Sequence, residues 1–72
     1  MEIIEITTEF IKLQDVLKLA ALVSTGGAAK QAVESGEVFV NGEICGQRGK
    51  KIRPGDIVAY QGRELTVIYA DQ

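Results

Sequence analysis

The spacing of apolar residues changes along this chain, and the change limits the folds that the chain can adopt. Between residues 13 and 33, apolar residues recur at intervals of three and four, which places them on one face of a helix. From Val38 onward, short runs rich in β-branched residues are separated by glycine-containing turns, which is typical of strands. A further strand is predicted over Glu2–Thr7, which is also rich in β-branched residues.

Two helices are predicted in the first half of the chain. The apolar stripe of the first consists of Leu13, Val16, Leu17, Ala20 and Ala21. A break follows, in which Ser24 or Thr25 can supply an N-cap hydroxyl for a second helix over about Gly27–Ser35. The small buried face of the second helix, which allows close packing, is predicted to be Ala28, Ala29, Ala32 and Val33. Gly36 is placed as its C-terminal cap, because positive φ costs glycine nothing.

Four strands are predicted after the helices, over Val38–Val40, Glu43–Cys45, Ile57–Tyr60 and Arg63–Tyr69. Asn41-Gly42 is a strong signal for a two-residue hairpin turn, and Gln61-Gly62 predicts another tight turn. The predicted order is β-α-α-β-β-β-β. An α+β fold follows, with two helices packed against one side of a small, bent, mostly antiparallel sheet. The 72 residues allow one domain, residues 1–72.

The composition argues against catalysis and against a metal site. The chain has no histidine, and its one cysteine, Cys45, can form neither a disulfide within the chain nor a cysteine-based metal site. No nucleophile stands beside a base, and no cofactor is expected. The N-terminus is acidic, unlike a signal peptide, and no apolar run approaches the ~20 residues of a membrane span. The expected protein is non-enzymatic and cytoplasmic, with no membrane partner and no small-molecule substrate.

The charge of the chain is segregated. The formal net charge is −2, which counts against a simple nucleic-acid-binding protein. However, three acids and no bases fall within the first nine residues, which leaves eight bases against seven acids, or +1, in the rest. Four cations then occur within six residues free of acids, namely Arg48, Lys50, Lys51 and Arg53. Only the local field matters at a binding face.

An ordered set of motifs spans residues 10–60. KLQDVLKLAALV is followed by TGGAAKQAVESGEVFVNGE and then by KKIRPGDIV. The arrangement resembles the S4 domain, or αL RNA-binding motif, in which a helix-loop-helix leads to "G-x-V-x-V-N-G" and then to "G-D-x-I". Those elements correspond here to Gly36–Gly42 and Gly55–Val58. In particular, the chain is similar to the small free-standing S4-like proteins of bacteria.

The chain departs from the usual S4 pattern at two places. The first helix usually opens with "R-L-D", where this chain has Lys12-Leu13-Gln14. The inter-helix loop usually carries "S-R", where this chain has Thr25-Gly26. The resemblance implies binding of structured RNA, either ribosomal or transfer RNA, with the ribosome as a further expected partner. Because the aromatic residues are few, recognition of shape and phosphate is expected rather than stacking on successive single-stranded bases.

Each candidate contact has a structural alternative. The cations of residues 48–53 are predicted to neutralise phosphates from a flexible loop, or else to keep a sheet edge soluble. The glycines at the start of the second helix either admit a phosphate or serve a tight turn. Asn41 is expected to form the hairpin turn first and to touch RNA second. The predicted RNA-binding residues are Lys12, Thr25, Gly26, Gly27, Lys30, Gln31, Asn41, Arg48, Lys50, Lys51 and Arg53.

A second function stays open from the sequence alone. The acidic N-terminus, the net charge of −2 and the missing loop arginine fit a protein-interaction module that keeps the S4 fold without binding RNA.

Overall fold

The predicted order of helices and longer strands is confirmed, and two further short strands join it. The structure, a computed structural model, describes residues 1–70. Its helices are α1 (Leu13–Leu19) and α2 (Gly26–Glu34). Its strands are β1 (Glu2–Ile6), β2 (Ile11–Lys12), β3 (Val38–Val40), β4 (Glu43–Ile44), β5 (Lys51–Ile52), β6 (Ile57–Tyr60) and β7 (Arg63–Tyr69).

Five of the strands form one sheet in the order β1-β7-β6-β3-β4. Only the β1–β7 pair is parallel, as the predicted mostly antiparallel α+β fold requires. The hairpin between β3 and β4 turns at Asn41-Gly42, with φ of 52° and 85°, and the β6–β7 hairpin turns at Gln61-Gly62, with φ of 50° and 80°. Positive φ at both central residues is the signature of a type I′ turn, which matches the twist of paired strands. The remaining strands, β2 and β5, form a separate two-stranded ribbon.

The core lies between one face of the sheet and the two helices. Helix α1 contributes Leu13, Val16 and Leu17, which are fully buried. Helix α2 contributes Ala29, Ala32 and Val33, whose small size allows the close α1–α2 packing that the sequence predicts. The sheet contributes alternate residues of its central strands: Val38, Val40, Val58, Tyr60, Leu65 and Val67. Within residues 1–70, no helix has the length and hydropathy needed to cross a bilayer.

Helix α1 ends earlier than its apolar stripe predicts. The stripe includes Ala20 and Ala21, but the helix stops at Leu19, and Ala21 has a left-handed φ of 57°. The N–H groups of Leu22 and Val23 both bond to the carbonyl of Leu17, which closes the helix end. Both side chains then pack against the core. Leu22 and Val23 therefore add to the buried core without extending helix α1.

Arg63, at the start of β7, joins the neighbouring edge strand β1 to the end of α1. Its guanidinium forms an ion pair with Glu2 on β1, and Nε donates to Oε2 of Glu2 at 2.9 Å. It also approaches the carbonyl of Ala20 at 3.4 Å. Basic side chains near a helix C-terminus satisfy its last carbonyls. Arg63 therefore serves the fold.

The Glu2–Arg63 contact predicts a pH-dependent effect. The hydrogen bond from Arg63 lowers the pKa of the Glu2 carboxyl below its ordinary value of 4.5. A lowered folded-state pKa adds stability above the unfolded value, and that stability is lost as the pH falls through the folded value. Arg63→Gln is expected to return the pKa of Glu2 towards 4.5, as measured by NMR titration of the carboxyl carbon. An unchanged pKa in this variant, or an equal rise in Arg53→Gln, contradicts the assignment.

Candidate nucleic-acid interface

The short β2–β5 ribbon brings together cations from distant parts of the chain. Ile11 pairs with Ile52, and Lys12 pairs with Lys51 in antiparallel register. Ile52 is fully buried and Ile11 packs against the core, so the two lysines face solvent side by side. Like charges directly opposite each other destabilise a strand pair. This pairing is therefore unfavourable for folding and favourable for binding an anion.

The segment carrying the other cations is fixed to the start of α1. The N–H of Leu13 donates to the carbonyl of Lys50, and the N–H of Gln14 donates to the carbonyl of Arg48, both at 2.9 Å. The first N–H groups of a helix have no partner inside it. Lys12, at the N-cap, supplies no side-chain cap, so the loop carbonyls replace one. The backbone of the predicted loop therefore caps α1, a role that the sequence did not predict.

A half-buried aromatic ring supports two of these cations. The ammonium of Lys51 lies 4.8 Å from the centre of the Phe10 ring, and the guanidinium carbon of Arg53 lies 5.8 Å from it. A cation over a ring at these distances gains about 0.5–1 kcal/mol at an exposed site. Phe10 therefore holds both charges on one side of the ribbon. We call Lys12, Arg48, Lys50, Lys51 and Arg53 the basic ribbon.

The basic ribbon is not neutralised by the acids of the described chain. Within residues 1–70, the ion pairs are Lys18 with Asp15 at 3.4 Å and Arg63 with Glu2. None of the ribbon cations takes part in either pair. Asp56, three residues after Arg53, accepts hydrogen bonds from the Asn41 amide and the Arg53 backbone N–H. The net charge of −2 therefore coexists with a local cluster of positive charge.

The start of α2 is open to an approaching anion. Thr25 is the N-cap residue, and its hydroxyl accepts a hydrogen bond from the N–H of Ala28 at 3.0 Å. Gly26 and Gly27 begin the helix, one residue earlier than predicted, and neither has a positive φ. A Cβ at Gly26 has no atom within 4 Å. The fold therefore requires glycine at neither position for its backbone angles, which weakens the tight-turn alternative.

Lys30 and Gln31 lie further along α2, and both are exposed. Gln31 lines a shallow groove with Lys18, Leu22 and Tyr60, and no ribbon cation lines this groove. The described hydrogen bonds of the 48–53 segment reach α1 and not α2. The structure therefore places the predicted residues other than Asn41 in two groups. The second group, which we call the α2 group, is Thr25, Gly26, Gly27, Lys30 and Gln31.

Asn41 is engaged inside the protein. Its amide nitrogen donates to Oδ1 of Asp56 at 3.1 Å, and its amide oxygen accepts from the N–H of Ile57 at 2.9 Å. The side chain therefore ties the β3–β4 turn to the Pro54-Gly55-Asp56 turn. The predicted structural role of Asn41 is confirmed, and its contact with RNA stays a prediction.

Removing the Asn41 amide is expected to destabilise the fold. Asn41→Gly loses both hydrogen bonds but keeps the left-handed backbone, and we expect a loss of about 1–2 kcal/mol. Asn41→Ala also loses the polar side chain that lets asparagine adopt the left-handed region, and it is expected to lose about 1 kcal/mol more than Asn41→Gly. Urea unfolding of the three proteins measures both steps. Equal stability of Asn41→Gly and the parent protein contradicts the bridging role.

The sequence prediction missed Phe10 and the β2–β5 ribbon. A two-residue strand has too little pattern to be recognised alone, and Ile11-Lys12 adjoins a helix whose period masks it. Cys45 is buried, as its predicted strand position suggested, although β4 ends one residue before it. Over the described 70 residues, no three metal-ligating side chains come together.

Comparison with known proteins identifies the family of this chain. The sequence profile of the S4 domain family matches residues 4–68. The probable ribosome maturation protein RlbA of Bacillus subtilis (strain 168) is 44% identical over 59 residues, which cover 82% of this chain and 83% of RlbA. The small ribosomal subunit protein uS4 of Novosphingobium aromaticivorans is 32% identical over 59 residues, which cover 79% of this chain and 29% of uS4.

The fold also has a solved relative. The solution structure of YbcJ from E. coli, described as revealing an αL motif involved in RNA binding, superposes with a TM-score of 0.73. The two are 29% identical, and the match covers 94% of this chain and 87% of YbcJ. The structure has the helix-loop-helix and the hairpin at Asn41-Gly42 that the S4 pattern predicts. The profile match covers 65 of the 72 residues (4–68). The chain belongs to the S4 domain family.

Proposed function

We propose that this chain is an RNA-binding module that recognises structured RNA through its phosphates. The observation that carries the proposal is the alignment of Lys12 with Lys51 in a fixed ribbon beside Lys50. This arrangement concentrates positive charge that the ion pairs of the described chain do not neutralise. A phosphate that lies across the ribbon releases its counterions, which supplies most of the sequence-independent affinity. Neither Lys12 nor Lys51 has an acidic partner within residues 1–70.

The α2 group is proposed as the second contact. The Thr25 hydroxyl accepts a bond from Ala28 and keeps its own hydrogen for a phosphate oxygen. Gly26 and Gly27 are the first residues of the nine-residue helix α2. The partial positive charge of their N–H groups at the helix N-terminus favours an anion. Lys30 adds a full charge one turn later. Two separated phosphate contacts favour recognition of the shape of a folded RNA.

The relatives narrow the class of RNA. RlbA is described as a probable ribosome maturation protein, and uS4 is a small ribosomal subunit protein. We therefore propose ribosomal RNA ahead of transfer RNA, with the ribosome or a ribosomal precursor as the assembly bound. The proposed role is binding without catalysis, in the cytoplasm, by one domain. The comparisons do not favour the alternative of an S4 fold without RNA binding.

An NMR titration of the ¹⁵N-labelled protein tests the proposal. A structured ribosomal RNA fragment is added at low and at moderate salt, with a single-stranded oligonucleotide of the same length as control. We expect amide shifts concentrated on residues 12, 25–31 and 48–53 that weaken with salt. With about four phosphates contacted, log K against log salt concentration should fall with a slope of roughly −3 to −4. An absence of shifts at low salt contradicts the proposal.

A further inference from the structure

The face of the five-stranded sheet opposite the helices is apolar and is not covered by residues 1–70. Side chains alternate along a strand, so the residues out of phase with the core share this second face. The register places Ile44, Phe39 and Ala59 in one row across three strands. We call this surface the outer sheet face, and its apolar members are Ile3, Phe39, Ile44, Ile57, Ala59 and Ile68.

The outer sheet face is more apolar than the fold requires. Antiparallel sheets with one solvated face normally carry polar residues there. Here Ile3 is 59% exposed and Ile44 is 63% exposed, while Phe39 and Ile68 are 38% and 37% exposed. A contiguous exposed apolar patch rimmed by polar groups marks an interaction site. The face is therefore a candidate for contact with a partner.

Its charged residues are all acidic. Glu5 lies beside Ile68, and Glu64 lies beside Ala59, both exposed. The outward positions of the five strands include no lysine or arginine. Among the ribbon cations, Lys50 lines a shallow depression with Ile44 at the edge strand β4. The two carboxylates lie at the opposite side of the sheet, on β1 and β7.

This combination of charge and hydrophobicity selects one kind of occupant. Carboxylates repel phosphate, so the face does not suit RNA. A two-fold dimer would oppose the same patch on both copies and bury four carboxylates with no cation on either face. A partner with lysine or arginine around an apolar centre meets both requirements. Basic segments of this kind are common in proteins that accompany nucleic acids.

We infer that the outer sheet face docks a basic protein segment with an apolar centre. The inference does not depend on the proposed RNA interface, which uses other residues. The protein then carries two separate surfaces, with RNA phosphates on the basic ribbon and a basic protein on the sheet. This differs from an S4 fold that has replaced RNA binding with protein binding.

A synthetic peptide tests the inference directly. The probe has a short centre of leucine and valine flanked by lysines, and its control has glutamate at every lysine. In an NMR titration of the full chain, we expect amide shifts on β1, β3, β6 and β7 with the lysine peptide only. The variant Phe39→Thr with Ile44→Thr uses a residue of high strand propensity at both positions and should weaken binding about tenfold. Leu19→Ser, which removes an exposed leucine from α1, should leave binding unchanged.

Two further measurements complete the test: peptide binding after the glutamates of the outer sheet face are replaced by lysine, and RNA binding by the threonine variant. Glu5→Lys with Glu64→Lys is expected to weaken the peptide several-fold at low salt, whereas Glu34→Lys on α2 is not. The Phe39→Thr, Ile44→Thr variant should bind RNA like the parent protein, which separates this inference from the proposed function. The inference is overturned by equal binding of the glutamate peptide, by no binding of the lysine peptide, or by self-association through this face. Shifts confined to the groove lined by Lys18, Gln31 and Tyr60 also overturn it.

Discussion

Replacing Lys50 and Lys51 with glutamate is expected to weaken binding of structured RNA on the order of a hundredfold at moderate salt. Two phosphate contacts are lost and two repulsive charges replace them. Because phosphate contacts carry no sequence information, the loss should be similar for RNAs of different sequence and equal shape. Fluorescence anisotropy with a labelled ribosomal RNA fragment measures the change. Both side chains are exposed, so the substitution should leave the fold intact.

A matched control separates the basic ribbon from net charge. Lys51→Glu and Lys18→Glu change the total charge equally, but Lys18 pairs with Asp15 away from the ribbon. We expect a large loss for Lys51→Glu and a small one for Lys18→Glu. Lys50→Gln with Lys51→Gln should also make the salt slope about two units shallower. Equal effects at positions 18 and 51 would mean that RNA senses only the overall charge.

Most of the fold could be predicted because its signals are local. The helical period of Leu13, Val16 and Leu17, the type I′ turn at Asn41-Gly42 and the αL position of Gly36 are each set by neighbouring residues. The end of α1 is different. Ala20 and Ala21 continue the period, but the tertiary contacts of Leu22 and Val23 and the Arg63 side chain fix the helix end. Such contacts join distant parts of the chain.

The candidate site was harder to predict for the same reason. The cluster of cations at 48–53 is visible in the sequence, but its docking to Leu13 and Gln14 is not. That docking places Lys12 opposite Lys51 and ties the predicted loop to the start of α1. Phe10 was missed because an aromatic residue beside a two-residue strand has no periodic signal. A backbone held by hydrogen bonds matters because it has less conformational entropy to lose when a phosphate binds.

Replacing Leu17 with alanine is expected to remove a large part of the protein's free energy of unfolding. Leu17, on α1, is fully buried in the core that the two helices form with the sheet. Truncating a buried leucine removes transfer free energy and leaves a cavity, which costs about 2–5 kcal/mol. A chain of 72 residues has a free energy of unfolding of roughly 4–11 kcal/mol in total. Urea unfolding should show a much lower midpoint with an unchanged slope.

Leu19→Ala is the matched control, since it makes the same change two residues along the same helix. Leu19 is 62% exposed, so its truncation should change stability by less than about 0.5 kcal/mol. Helix α1 also anchors the basic ribbon through the N–H groups of Leu13 and Gln14. Leu17→Ala should therefore lose RNA affinity in parallel with folding, and a stabilising osmolyte should restore both. If the RNA affinity of Leu17→Ala stays low after the osmolyte has restored folding, the basic ribbon depends on the packing of Leu17 itself. The hydrogen bonds to the start of α1 are then not the only contacts that hold the ribbon in place.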